Sequence, residues 1–227
     1  MKKSEQTRER LLQTALALIG KQGFEATTMR AIAAEAGVAP GVVYYYFSSK
    51  ESLVYEYYKQ SQVDHEKALE EFFARELKFS KRLHQTVTSK IAMALPYKNM
   101  ARALYRVAAN PESPLSAFSE ASKPIKLQAL GVFSQVVHGS QDRFNPEIKE
   151  LLPELLWFYQ MGIVLFWIYD ESKDAVKTFE LIDKTVPLID STQQLMQSPW
   201  AAPLRKKIIA VLRSFISPLD QDLAKSR

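Results

Sequence analysis

Apolar residues recur at helical spacing along nearly the whole 227-residue chain. From Ser4 to Lys21, Leu12, Ala15, Leu16 and Ile19 form one stripe, while Lys2, Lys3, Arg8 and Arg10 lie on the wet side; this predicts a first helix. Gly20 and Gly23 bracket its end, and Phe24 is placed to tuck beneath it. Thr28 then reads as an N-cap before Met29, Ile32, Ala33 and Ala36, spaced i, i+3, i+4, i+7. Gly37 ends that helix where a left-handed residue costs least. Pro40 takes the first position of another short helix, where its missing N–H costs nothing. In that helix Val43 and Phe47 lie one turn apart and face inward, so Gly41, Val42 and Tyr45 point out. Ser48-x-x-Glu51 is read as the capping box of the next helix.

That next helix is expected from Lys50 to about Phe79. Leu53, Val54, Tyr57, Tyr58 and Ser61 form its early packing face, and Glu66, Lys67, Glu70, Glu71, Arg75 and Glu76 a solvated later one. Further helices are predicted over Ser80–Leu95 and Lys98–Ala109, split at Pro96, and over Lys123–His138 after an NPESP loop. Gly139 to Asn145 breaks the pattern, and helices follow over Pro146–Asp170, Lys173–Met196 with a kink at Pro187, and Leu204–Ser217. Leu155 to Tyr169 is apolar almost all round, yet shorter than the roughly 20 residues a membrane span needs. No fixed-period repeat is present.

Composition narrows the class. Hydrophobic residues make up 47%, enough for a sizeable core, and only 7 glycines and 11 prolines interrupt it, which favours an all-α protein. A net charge of +5 permits nucleic-acid binding, but serves solubility equally well. With no cysteine, disulfides and thiolate metal sites are excluded. The charged amino terminus is not a signal peptide, and a soluble, cytoplasmic protein with no membrane partner is expected. His65, His84 and His138 lie on separate helices without metal-ligand spacing, and no nucleophile elbow, Walker loop or dinucleotide fingerprint occurs. No catalytic residue, metal site or cofactor is expected.

Two short helices joined by a tight turn over Thr27–Lys50 have the build of a helix-turn-helix DNA reader. Thr27, Thr28, Ile32, Ala33, Ala36, Gly37, Val38, Gly41, Tyr44 to Phe47 and Lys50 to Leu53 together resemble the amino-terminal domain of the TetR family of transcriptional regulators. The resemblance covers roughly residues 7 to 60; the rest is similar only in length and helical pattern. It implies a DNA-binding domain over residues 1–49 and a ligand-binding and dimerisation domain over 50–227. It further implies that Gly41, Val42 and Tyr45 approach base edges. Thr28, Tyr44, Tyr46 and Lys50 would meet phosphates, with Thr27 and Pro40 completing the set. This chain departs from the family at Ala31 and Ala39, where capping residues are usual, at Pro40, and at Ser48 in place of a lysine. Base readout is therefore expected to lean on apolar contacts and DNA shape.

In the second domain Met93, Tyr97, Met100, Leu104, Leu127, Leu130 and Phe133 are large and adaptable. They are plain core or the lining of a ligand pocket; the residues alone favour core, and the family resemblance implies a pocket for a small apolar ligand. An all-round apolar helix must be covered on both sides. The resemblance implies that a two-fold mate covers one side, with Leu152, Leu156, Tyr159, Ile163 and Phe166 at the interface. The expected protein is a homodimeric, ligand-responsive repressor of a palindromic, double-stranded DNA operator. The alternatives are a DNA-binding regulator whose second domain meets a protein partner, and an enzyme on a helical fold.

Overall fold

The computed structural model describes residues 3–215, except for the side chain of Phe215, and all regular structure among the described residues is helical. The expected end of the last helix at Ser217 and the expected exposure of Lys2 lie outside them. By internal contacts the chain divides into two units, Met1–Asp64 with Ala94–Lys126, and His65–Met93 with Leu127–Arg227.

The first unit holds α1 (Lys3–Gln22), α2 (Met29–Glu35), α3 (Pro40–Tyr46), the start of α4 (Lys50–Arg75) and α6 (Lys98–Ala108). Leu11, Leu12, Leu16 and Ile19 of α1 pack with Ile32 of α2, Val43 of α3, and Leu53 and Val54 of α4. Helix α6 adds Met100 and Leu104 to the same core, which enlarges a nucleus of one long and two short helices that is small by itself. Gly20 does not end α1 but lies inside it, facing α6. A Cβ there would stand 3.3 Å from the Met100 nitrogen and 3.6 Å from its Cβ, so the glycine permits a close helix crossing. Gly23 is the terminator, at φ 90°, with its N–H on the Ile19 carbonyl.

Beyond α6 the chain is a run of linked turns. Ser113, Ser116, Ser119 and Ser122 each donate their N–H to the carbonyl three residues back. Leu115 drops from this run into the core, and the hydroxyls of Tyr55, Ser119 and Ser122 all donate to the Pro114 carbonyl.

The second unit holds the end of α4, α5 (Phe79–Ala94), most of α7 (Lys123–His138), α8 (Pro146–Tyr169), α9 (Val176–Leu195) and α10 (Ala202–Phe215). Helix α4 ends at Arg75, four residues earlier than the sequence pattern suggests, because the Glu76 carboxylate accepts the N–H groups of Leu77 and Lys78 and turns the chain. The buried Arg82 guanidinium donates to the carbonyls of Phe73, Glu76 and Gln135 and stacks on the Phe73 ring at 4.2 Å. It thereby closes the carboxyl-terminal ends of α4 and α7 with one side chain. His65 is buried as well, its Nε2 lying 3.0 Å from both the Thr86 carbonyl and the Ser89 hydroxyl.

Helix α8 runs 24 residues, not the fifteen of its most apolar part, so it is long and apolar enough to cross a membrane by length and composition. Its buried residues include Glu154 and Gln160 as well as Leu151, Leu156 and Trp167, which marks a core helix. Between α8 and α9, Asp174 and Ala175 take left-handed φ values of 53° and 57°, so α9 begins at Val176 rather than Lys173. Burial pushes the Asp170 carboxyl up, but hydrogen bonds from Ser172 and Thr178 outweigh it and hold the group down at about 2. Helix α9 continues through Pro187.

Candidate nucleic-acid interface

The turn between α2 and α3 is built as its sequence dictates. Thr28 caps α2, its hydroxyl oxygen accepting the Ala31 N–H at 3.1 Å. Gly37 takes φ 65° after the last turn, and Pro40 occupies the first position of α3. Ala39 offers no side-chain cap, so α3 begins without one. Val43 is wholly buried and Phe47 nearly so, while Gly41 and Tyr45 face out, Tyr45 at 81% exposure. Val42 is half-buried beside them, and Tyr44 is exposed. The opening of α4 differs from expectation by one residue. Ser49, not Ser48, is the cap, and Ser52, not Glu51, closes the box: Ser52 N–H donates to Ser49 Oγ at 3.2 Å and Ser49 N–H to Ser52 Oγ at 3.1 Å.

Not every residue of the expected set faces outward. Thr27 is wholly buried, and its hydroxyl donates to the Gly23 carbonyl at 2.8 Å, holding the turn after α1. The Lys50 ammonium donates to the Phe24 carbonyl at 2.7 Å and lies 4.3 Å over the Phe24 ring. Tyr46 shares a hydrogen bond of 3.1 Å with the Ser4 hydroxyl of α1 and meets Tyr45 edge-on, with ring centroids 5.0 Å apart. Arg8, one turn beyond Ser4, pairs with both carboxylate oxygens of Glu56 at 2.8 and 2.7 Å and lies 5.1 Å from the Phe47 ring centre. That hydrogen bond is the main reason the Glu56 carboxyl sits below its ordinary value. Ser4, Arg8 and Glu56 are site-supporting residues that periodicity does not mark, since all three read as solvated positions.

The candidate ligand residues fall in different places. Tyr97, Met100 and Leu104 belong to the first unit, Met100 and Leu104 in its core beside α1, and Tyr97 with its ring 5.9 Å from Tyr57. Met93, Leu127, Leu130 and Phe133 belong to the second; Leu130 and Phe133 are buried, Leu127 half-buried and Met93 exposed. An open groove of about 260 Å³ on α10, lined by Lys207, Ile208, Val211 and Leu212, includes none of them.

Of the candidate dimer residues, Leu152, Leu156 and Ile163 are buried within the single chain, and the Tyr159 hydroxyl is held by Thr185 at 2.6 Å. Phe166 is exposed. So are Phe158, Leu165 and Tyr169, which fall with it at i, i+7, i+8 and i+11 on the outer face of α8. His84 pairs with Asp183 at 2.7 Å, and among the described residues no three His, Asp or Glu side chains converge on a metal position.

The sequence matches the family of bacterial regulatory proteins, tetR family, over residues 11–57, and the tetracyclin repressor-like carboxyl-terminal domain over residues 82–208. It is 40% identical over 70 residues to the uncharacterized HTH-type transcriptional regulator YerO of Bacillus subtilis, a stretch covering 30% of this chain and 24% of that one. It is 48% identical over 50 residues to the HTH-type transcriptional repressor KstR of Rhodococcus jostii, covering 22% of this chain and 24% of that protein. The chain thus spans about a quarter of the length of these curated relatives. The fold is shared much more widely. The transcriptional regulator FadR of Bacillus subtilis, solved with stearoyl-CoA, aligns over 78% of this chain and 96% of its own with a TM-score of 0.64 at 16% identity. The fatty acid degradation regulator FadR of Bacillus halodurans aligns over 79% of this chain and 94% of its own, with a TM-score of 0.67 at 14% identity. With one family domain over the α2–α3 turn and the other over more than half its length, the chain belongs to the TetR family of transcriptional regulators.

Proposed function

We propose that this chain is a ligand-responsive repressor that binds a palindromic operator as a dimer and releases it when a small apolar effector binds. The observation that carries the reading is α3: a short helix seated on Val43, with Gly41, Val42, Tyr44 and Tyr45 on its open side. Such a helix fits the major groove, and its apolar and aromatic face suits thymine methyls and groove shape. Phosphate contact falls to the exposed Tyr44 and to Thr28, whose hydroxyl hydrogen remains available while its oxygen caps α2; Thr27 and Lys50 hold the turn that precedes α2. The dimer face is the outward stripe of α8, Phe158, Leu165, Phe166 and Tyr169, in place of its inner residues. For the effector, the support is the large apolar side chains Leu127, Leu130 and Phe133 on α7, together with the stearoyl-CoA bound in the FadR structure. A bacterial cytoplasmic location follows from this role.

Selection from a duplex library with a randomised core tests the reading. Log K for the recovered duplex is expected to fall with log salt by roughly 0.9 per phosphate neutralised. Val42→Ala should change which duplexes are preferred while leaving that slope alone. Recovery of no preferred sequence by the parent protein would sink the proposal that α3 reads bases.

A further inference from the structure

Helix α3 is seven residues long and buries one of them, Val43. Tyr46 packs partly against the same core and Phe47 is buried just past the last turn, so the roll of α3 about Val43 is settled at its carboxyl-terminal end. A roll of about 10° moves a side-chain tip by about 1 Å, enough to make or lose a base contact. At that same end, polar contacts from α1 hold the two packed aromatic residues. Ser4 and Arg8 stand one turn apart on α1 and reach the consecutive residues Tyr46 and Phe47, Ser4 by the 3.1 Å hydrogen bond and Arg8 by stacking at 5.1 Å. Arg8 is itself held bidentate by Glu56 of α4. Tyr46 then supports Tyr45, the most exposed side chain of the reader, edge-on at 87°.

We propose that Ser4 and Tyr46 are positioning residues that set how α3 presents Tyr45 to the base edges, and so determine sequence preference without touching DNA. The inference rests on α3 being the reading helix. It also reassigns the Tyr46 hydroxyl, which by family resemblance would meet a phosphate. The two roles part company in their consequences. A phosphate contact strengthens binding to every duplex alike. A positioning bond alters the difference between duplexes, and it must be lost equally from either end.

The experiment compares the parent with Ser4→Ala, Tyr46→Phe, the double variant, Ser4→Thr and Tyr45→Ala. Affinities are read on the best duplex recovered from a randomised library by the parent, on the same duplex with single base-pair changes, and on an unrelated duplex. Ser4→Ala and Tyr46→Phe should each reduce discrimination by about two- to tenfold, the range set by one net hydrogen bond. The double variant should lose no more than either single, Ser4→Thr should keep the parent's discrimination, and affinity for the unrelated duplex should not move. Ser4 is exposed, so its replacement does not threaten the fold. Uniform weakening by Tyr46→Phe on all duplexes, with Ser4→Ala silent, would overturn the inference in favour of a phosphate contact. Silence of both would overturn it outright. If Tyr45→Ala removes discrimination while the paired variants retain it, the positioning role alone falls; if Tyr45→Ala also retains it, the reading of α3 falls too.

Discussion

Burial makes the imidazole of His65 hard to charge, and the nearby Lys90 ammonium adds to the effect; against the opposing hydrogen bond to the Thr86 carbonyl, the group is lowered to about 4. In the unfolded chain it titrates near its ordinary 6.5, so the unfolded state binds the extra proton between those values. The stabilisation is complete above pH 6.5 and is lost as pH falls through 4. For a side chain this buried it amounts to about 3 kcal/mol. Urea midpoints followed from pH 7 to pH 4 should show that decline, and His65→Gln should flatten it. At this scale the sequence was informative about residue type and less so about direction. Thr28, Gly37 and Pro40 do what their chemistry dictates, because each acts on its own backbone. Thr27 and Lys50 were legible as members of the motif, but their partners, the Gly23 and Phe24 carbonyls, come from the turn after α1, and no local pattern announces that contact.

Gly139 shows how one element's end can be set by another's side chain. A Cβ at this position would stand 2.4 Å from Arg82 Nη2 and 2.7 Å from the Gln135 carbonyl oxygen. Gly139→Ala should therefore push the guanidinium off the carbonyls it closes, leaving a buried charge short of acceptors, at a cost of about 2–3 kcal/mol. Denaturant unfolding checks it: a loss under about 0.5 kcal/mol would mean that the Arg82 contacts contribute little. Helix positions were largely readable from periodicity and breakers; α7 runs from Lys123 to His138 and α6 begins at Lys98, as the pattern predicts. The misplacements have local causes. Glu76 turns the chain by capping backbone with its carboxylate, and Ser49 outcompetes Ser48 because its oxygen is the one aligned with the first free N–H groups of α4. In α8 both faces are apolar, so periodicity could not tell the inner Leu152, Leu156 and Ile163 from the outer Phe158, Leu165 and Phe166. Only packing separates them.

For the whole molecule, that outer face supplies the test of assembly. Phe166→Glu places a charge where the proposed partner should sit, yet the residue is 42% exposed in the single chain. The variant should fold with an unchanged thermal midpoint at low concentration and sediment as a monomer where the parent sediments as a dimer. A variant that retains the dimer mass would move the interface elsewhere. The uncapped start and single buried residue of α3 carry a consequence of another kind. A helix of that length is marginal without its tertiary seat, so its amide protons should exchange far sooner than those of α1 in the free protein. Part of the free energy of meeting DNA is then used to hold α3 in its helical form. Association should accordingly show a more negative heat-capacity change than the area of contact alone provides, and so a more strongly curved dependence of affinity on temperature.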